Sequence, residues 1–247
     1  MRWSSLCILA LLISVTSAED DVLQLRYVWA PIFCNAGSSN GVPKEFCGVD
    51  PDTQRPRFMR HRQSIMRPLT GWKGCSPSEP YSAKSITGEL RNNLHCTSNS
   101  YTEGNDDGWF ERLWEEGSGC GAKQLGMSQT EYFQLMTDLF EKYNPDEALK
   151  KSKIKLKNKG AISTSTYLKV LKKRLGKEGF VTCDGETGKR LSTFSICISP
   201  QAPYNITDCP ASVLKKYKNR CPRKMSIERG FGSMKNPTEE CMKYYPV

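Results

Sequence analysis

The sequence predicts a disulfide-stapled α+β fold, and three observations carry that expectation. Residues 22–29, VLQLRYVW, alternate with Leu23, Leu25, Tyr27 and Trp29 on one side, the period of a half-buried strand. Ser128-Gln-Thr-Glu131 forms a capping box ahead of Tyr132, Phe133, Met136, Leu139, Phe140 and Tyr143 at helical spacing. Eleven cysteines are spread along 247 residues with no CxxC pair, which points to disulfides rather than a metal site.

The first eighteen residues read as a secretory signal: Arg2, then the apolar LCILALLISV, then Thr16-Ser17-Ala18 before Glu19. That apolar run is too short for a membrane span, and no later stretch is long enough. Removing the leader removes Cys7 and leaves ten cysteines, an even set for an oxidising compartment. The expected product is secreted, either extracellular or vacuolar. The remaining chain, 19–247, suits one large α+β domain or two small ones.

Asn144-Pro145 closes the capped helix, and a second helix is expected after Ser165 or Thr166. In that helix Tyr167, Leu168, Leu171 and Leu175 face inward, Lys172, Lys173 and Arg174 outward, and Gly176 is the stop. LSTFSICIS (191–199) reads as a strand and FMRHRQSIM (58–66) as an unusually basic one. Residues 35–57, rich in Gly, Pro, Ser and Asp, read as a loop between Cys34 and Cys47. The tail is expected to be loops held by Cys209, Cys221 and Cys241. Asn205-Ile-Thr207 is a glycosylation sequon on a surface loop.

The formal net charge is +10, from 36 Lys and Arg against 26 Asp and Glu. Lys151, Lys153, Lys155, Lys157 and Lys159 fall at every second position, and Arg57, Arg60, Arg62 and Arg67 form another group. Such surfaces attract polyanions through counterion release whatever the sequence of the partner. The expected partner class is therefore RNA or another polyanion, with no sequence-specific readout of DNA. Two histidines in the whole chain give a zinc site too few ligands, so neither metal nor cofactor is expected.

Several segments together resemble the ribonuclease T2 family, in particular its plant S-like and S-ribonuclease branch. LQLRYVWAPIFC is similar to the family's first strand, LxLxWPxxFC. WFERLWEEGSGC (109–120), followed by GMSQTEYFQLMTDLFEKYN, is similar over more than thirty residues to the second active-site segment, FWEHEWEKHGTC, and its helix. FSICIS, ITDCP and NRCPRK fit the family's C-terminal pattern. The resemblance covers most of the mature chain. It implies the T2-type fold, one domain over 19–247 with a central antiparallel sheet packed with several helices.

The resemblance also implies a chemistry. Family members use two imidazoles, one as base on the ribose 2′-hydroxyl and one as acid to the leaving oxygen, to form a 2′,3′-cyclic phosphate. A Glu and a Lys stabilise the charged intermediate. Histidine suits the work because its proton exchanges near neutral pH. On the gapless frame from Trp109 to Cys120, the family histidines fall at Arg112 and Gly117, the acid at Leu113 and the lysine at Glu116.

In the first segment, anchoring on Pro68 puts the family histidine at Ser64. Anchoring on Phe58 puts it at His61 but leaves the family's following Gly-Leu-Trp-Pro unmatched. His61 and His95 remain candidates for a relocated pair. Trp109, Phe110 and Trp114 are expected as core packing rather than a base-stacking platform. The expected protein is thus a T2 homologue without its catalytic set, in a storage or defence role; the alternative is an active endoribonuclease with moved groups.

The resemblance further implies the disulfides Cys75–Cys120, Cys183–Cys221 and Cys197–Cys209. Cys34–Cys47 follows from proximity, which leaves Cys96 with Cys241.

Overall fold

The computed structural model describes residues 22–29, 61–68, 75–98, 106–152, 160–184 and 188–227; for Trp29, 61–68 and Lys150 only the backbone is described. The N-terminal signal, the 35–57 loop, Arg57, Arg60, Lys153 to Lys159, Cys34, Cys47 and Cys241 lie outside them.

A sheet of seven strands organises the described residues, with the order β2-β1-β5-β7-β3 and with β4 and β6 also on β5. Strand β1 (Leu23–Trp29) is antiparallel to β2 (His61–Pro68) on one side and to β5 (Arg190–Ile198) on the other. β4 (Phe180–Asp184) and β6 (Ile206–Thr207) are antiparallel to β5, and β3 (Gly160–Ser163) is antiparallel to β7 (Lys224–Ile227). The β5–β7 join, Arg190 opposite Ser226, is parallel, so the expected antiparallel sheet has one exception.

Strand β1 differs from its sequence expectation. Leu23, Leu25 and Tyr27 are buried, but so are Gln24 and Val28. With strands on both sides and cover on both faces, β1 has buried residues on both faces, and among its described side chains Arg26 is partly exposed. Gln24 tolerates this because its Nε2 donates to Ser195 Oγ at 2.8 Å on β5, which satisfies a buried polar group.

Seven helices surround the sheet among the described residues. They are α1 (Gly88–Ser98), α2 (Asp106–Leu113), α3 (Gly119–Leu125), α4 (Gln129–Lys142), α5 (Pro145–Lys151), α6 (Thr164–Leu175) and α7 (Ala211–Tyr217). A five-residue π-turn, Trp114–Ser118, joins α2 to α3.

Helix α4 starts where its capping box requires. Ser128 Oγ accepts from Glu131 N–H, and Ser128 N–H donates to the Glu131 carboxylate at 2.9 Å. Its Tyr132, Phe133, Met136, Leu139 and Phe140 are buried. Phe140 lies 5.8 Å, centroid to centroid, from Tyr27 on β1. Asn144 Oδ1 then accepts from the amides of Asp146 and Glu147 at 2.9 and 3.3 Å, and Pro145 opens α5 at a position that needs no N–H donor.

Helix α6 begins at Thr164 with Ser163 as its cap, earlier than the expected start after Ser165 or Thr166. Tyr167 and Leu171 are buried, whereas Leu168 and Leu175 are only half-buried. Gly176 ends the helix at φ 94°, a conformation that favours glycine.

The tail departs further from expectation. Instead of loops alone, its described part, which ends at 227, forms α7 and β7. In β7, Met225 and Ile227 are buried while Lys224 and Ser226 are exposed, a period of two too short to recognise in the sequence alone. Helix α7 covers the reverse face of the sheet, where Val213 joins Val22, Phe180, Cys197 and Cys209.

Candidate functional site

The candidate site grows out of the π-turn. Along α2 the side chains split by helical phase: Trp109, Phe110 and Leu113 are buried, and Glu111 is exposed. Trp114 is buried too, with ring centroids 5.7 Å from Phe133 and 6.0 Å from Tyr132. The tryptophans therefore pack in the core, as their apolar neighbours require.

Gly117 interrupts the helical path at φ 144°, ψ −15°. The chain re-enters α3 at Gly119, whose missing side chain is occupied space: a Cβ there would lie 2.6 Å from Pro77 Cβ. Cys75–Cys120 fastens the same crossing. The Trp114 indole donates to the Glu79 carbonyl at 2.9 Å, Gln129 Nε2 donates to the Ser82 carbonyl at 2.7 Å, and Ser82 N–H donates to Gln129 Oε1 at 2.9 Å. The 75–86 segment is thus strapped across the π-turn and the start of α4.

On the outer side of the turn, Arg112 and Glu116 meet as an ion pair at 2.6 Å, with side chains 25% and 40% exposed. Leu113 faces the core at 1% exposure. The four positions singled out in this segment therefore do not converge: two pair with each other, one is core and one is a backbone hinge.

Strand β2 runs against the π-turn, so the two resemblance segments are neighbours in space. The β1–β2 register passes from Arg26 opposite Ile65 to Tyr27 opposite Gln63 and skips Ser64, which is the extra residue of a bulge. His61 opposes Trp29, Arg62 opposes Val28 and Arg67 opposes Gln24.

His95 lies in the last turn of α1, 51% exposed, with Nδ1 2.5 Å from Asp106 Oδ2. Beside it is a cluster that sequence reading missed. Arg91 donates both terminal nitrogens to the Asp107 carboxylate, each at 2.8 Å, and the Tyr81 hydroxyl donates to Asp107 Oδ1 at 3.2 Å. The Arg91 hydrogen bond holds the Asp107 carboxyl below its ordinary value. Burial, reinforced by the Asp107 charge, pushes the Tyr81 phenol up. These residues come from separate segments at no periodic spacing, so no local signal links them.

Of the two groups of basic residues, Arg62 and Arg67 belong to β2 at one end of the strand order, while Arg57, Arg60 and Lys153 to Lys159 lie outside the described residues. Lys151, exposed at the end of α5, pairs with Glu147. Among the described residues, no group of three or more His, Cys, Asp and Glu could hold a metal ion. Nor is any helix there long and apolar enough to cross a membrane.

Besides Cys75–Cys120, the structure contains Cys183–Cys221 and Cys197–Cys209. Cys96 is also disulfide-bonded, to a cysteine outside the described residues. Asn205 is exposed, and its Oδ1 accepts from Lys142 Nζ at 2.8 Å.

The model of the ribonuclease T2 family matches residues 20–209. The chain belongs to that family. Among solved structures it is similar to trichomaglin, an S-like ribonuclease, with 18% identity and a TM-score of 0.63, covering 87% of this chain and all of that one (100%). Human RNase T2 gives 16% identity and a TM-score of 0.63, covering 84% of this chain and 96% of that one. A mutant of RNase MC1 in complex with 5′-GMP gives 20% identity and a TM-score of 0.61, covering 83% and 98%; RNase MC1 is from bitter gourd seeds. These similarities show the T2 fold, an α+β sheet with helices and disulfides. No curated protein matches the chain.

Proposed function

We propose that this chain is a secreted, extracellular or vacuolar T2-family protein that has lost RNA cleavage and serves a non-catalytic role in storage or defence. Residues 19–247 form its one domain after an 18-residue signal, and Asn205 carries its glycan. The observation that carries this reading is the Arg112–Glu116 pair. A guanidinium cannot give up a proton at working pH. Glu116 brings negative charge to a position where the family resemblance calls for a cation facing phosphate. Leu113 cannot titrate, and Gly117 has no side chain. Each acid–base group contributes roughly 10²–10⁴-fold in rate, so loss of the set removes most of the activity.

The test is RNA cleavage by the purified, disulfide-intact protein, resolved on a gel. The expected result is intact RNA across neutral and acidic pH. Cleavage to 2′,3′-cyclic phosphates that disappears in His61→Ala or His95→Ala would overturn the proposal. It would favour the second reading, an endoribonuclease with relocated groups, for which the contact of His95 with Asp106 is the motivating observation. Two titrating imidazoles would then give a bell-shaped pH–rate profile.

Loss of cleavage leaves RNA binding open to a separate measurement. The 5′-GMP complex of the RNase MC1 mutant and the basic strand β2 beside the π-turn support RNA as a ligand held without cutting. Its affinity should fall steeply with added salt, as phosphate contacts require.

A further inference from the structure

The C-terminal part of the described chain bears a charged surface that the T2 reading does not use. Between Asp208 and Glu228 the sequence contains no acidic residue but has Lys215, Lys216, Lys218, Arg220, Arg223 and Lys224. All six are exposed, as is Lys189. Lys189 is held beside them because its carbonyl accepts from Ser226 N–H at 2.7 Å.

Among the described residues, the neighbouring acids are engaged elsewhere. Glu178 pairs with Lys172 at 2.9 Å and Asp208 with Lys177 at 2.6 Å, while Asp184 stands opposite Arg190 in the β4–β5 register. None of the seven cations has an acidic partner among the described residues.

The backbone under these cations is fixed. Cys221 is bonded to Cys183, the Arg220 carbonyl accepts from Cys183 N–H at 3.3 Å, and the Arg223 carbonyl accepts from Thr164 N–H at 3.0 Å. Thr164 Oγ1 donates to the Pro222 carbonyl at 2.5 Å. A rigid array of cations loses less entropy on binding than one carried on a mobile tail.

Among the described residues the surface also lacks a stacking platform. The one aromatic there, Tyr217, lies with its ring against Phe180 at 4.4 Å and 19°. Recognition of single-stranded RNA depends on stacking of bases on aromatic faces. A polymer that displays only anionic groups needs no such face.

We propose that α7 and the Lys218–Lys224 segment, with Lys189, form a binding surface for a linear sulfated polysaccharide. The surface runs from α7, which packs on β4, to Lys224 in β7, and neither strand adjoins β2 in the strand order. Its function is independent of whether the T2 site cleaves RNA. The sulfates are held by charge alone, so binding is tolerant of sugar identity and sensitive to salt.

The test uses the full-length, disulfide-intact protein and heparin as the probe. The combined variant Lys215→Ser, Lys218→Ser, Arg220→Ser and Arg223→Ser should weaken heparin binding about tenfold or more. It should also make the slope of log affinity against log salt shallower by roughly three to four. A control with equal charge loss at exposed positions on other elements (Lys84→Ser, Lys123→Ser, Lys142→Ser, Arg174→Ser) should change affinity by less than about threefold, since it leaves the array itself intact. Melting curves verify that both proteins are folded, and Arg220→Ser alone serves if the combined variant is not. Equal losses in the variant and the control would reduce the effect to net charge and overturn the proposal. So would single-stranded RNA of matched charge displacing heparin at the lower concentration.

Discussion

Arg112 and Glu116 hold each other at 2.6 Å across one turn at the outer side of the π-turn. Both side chains keep substantial solvent contact, so water screens the pair. The cation also precedes the anion, the less favourable order along a helix. Arg112→Ala and Glu116→Ala should each lower stability by no more than about 0.5 kcal/mol. A double-mutant cycle by urea unfolding should give a coupling of about 0.3–0.5 kcal/mol. A coupling several times larger would mean that the pair is a structural clamp rather than a surface contact.

Trp114 is a different case, because it is buried and its indole N–H is spent on the Glu79 carbonyl at 2.9 Å. Trp114→Ala should cost about 3–5 kcal/mol through lost packing and a cavity. Trp114→Phe retains much of the ring but leaves the carbonyl without that donor, and should cost about 1–3 kcal/mol. Denaturant midpoints measured without reductant would order the two variants.

The crossing of Gly119 over Pro77 leaves no room for a methyl group. A Cβ would meet Pro77 Cβ at 2.6 Å, Pro77 Cγ at 2.7 Å and Trp114 Cε2 at 3.0 Å. A proline ring cannot rotate away, so the backbone itself must shift. Gly119→Ala should destabilise by about 1–3 kcal/mol, as overpacked sites do. Gly126→Ala, where no atom lies within 4 Å but φ is +65°, tests backbone strain without the clash.

Stability should fall on the alkaline side through buried phenols. Burial raises Tyr27 and Tyr167 above the ordinary tyrosine value, and burial with Asp107 raises Tyr81. A folded-state value above the unfolded one gives stability that is complete below about pH 10 and is lost as pH rises past it. The phenolate absorbance of these three residues should therefore emerge together with unfolding rather than before it. Asp107 has the opposite sign: Arg91 lowers its carboxyl, so that contribution is present above the unfolded carboxylate value near pH 4 and fades on further acidification. Its exposure keeps this acid effect small.

Local chemistry was readable where one stretch contained all its causes. The Ser128 capping box, the stop at Gly176 and the strand around Phe194 each rest on neighbours in sequence. The burial of both faces of β1 depends on β5, about 170 residues away, and on Gln24 finding Ser195. The Tyr81–Arg91–Asp107 cluster likewise joins three segments that share no period. At the candidate site, the residue types show only where this sequence departs from the pattern the family resemblance implies. Only the folded chain revealed that Arg112 and Glu116 pair, that Leu113 turns inward, and that Ser64 occupies a bulge.

Those placements decide how the family residues could be reinstalled. Arg112→His and Glu116→Lys alter partly exposed positions and should cost less than about 1 kcal/mol together. Leu113→Glu forces a carboxylate into a position only 1% exposed, which should cost several kcal/mol or keep the acid protonated. Gly117→His places a side chain on a backbone held at φ 144°, outside the regions L-residues favour, at a cost of about 1–3 kcal/mol. The double variant Arg112→His, Glu116→Lys should therefore melt close to the parent, whereas adding Leu113→Glu and Gly117→His should lower the melting temperature sharply. RNA cleavage should not appear in the double variant, because the acid and the second imidazole are still missing. If the fourfold variant were as stable as the parent, the π-turn would have to be free to rebuild itself, and the inward turn of Leu113 would not be a fixed part of the core.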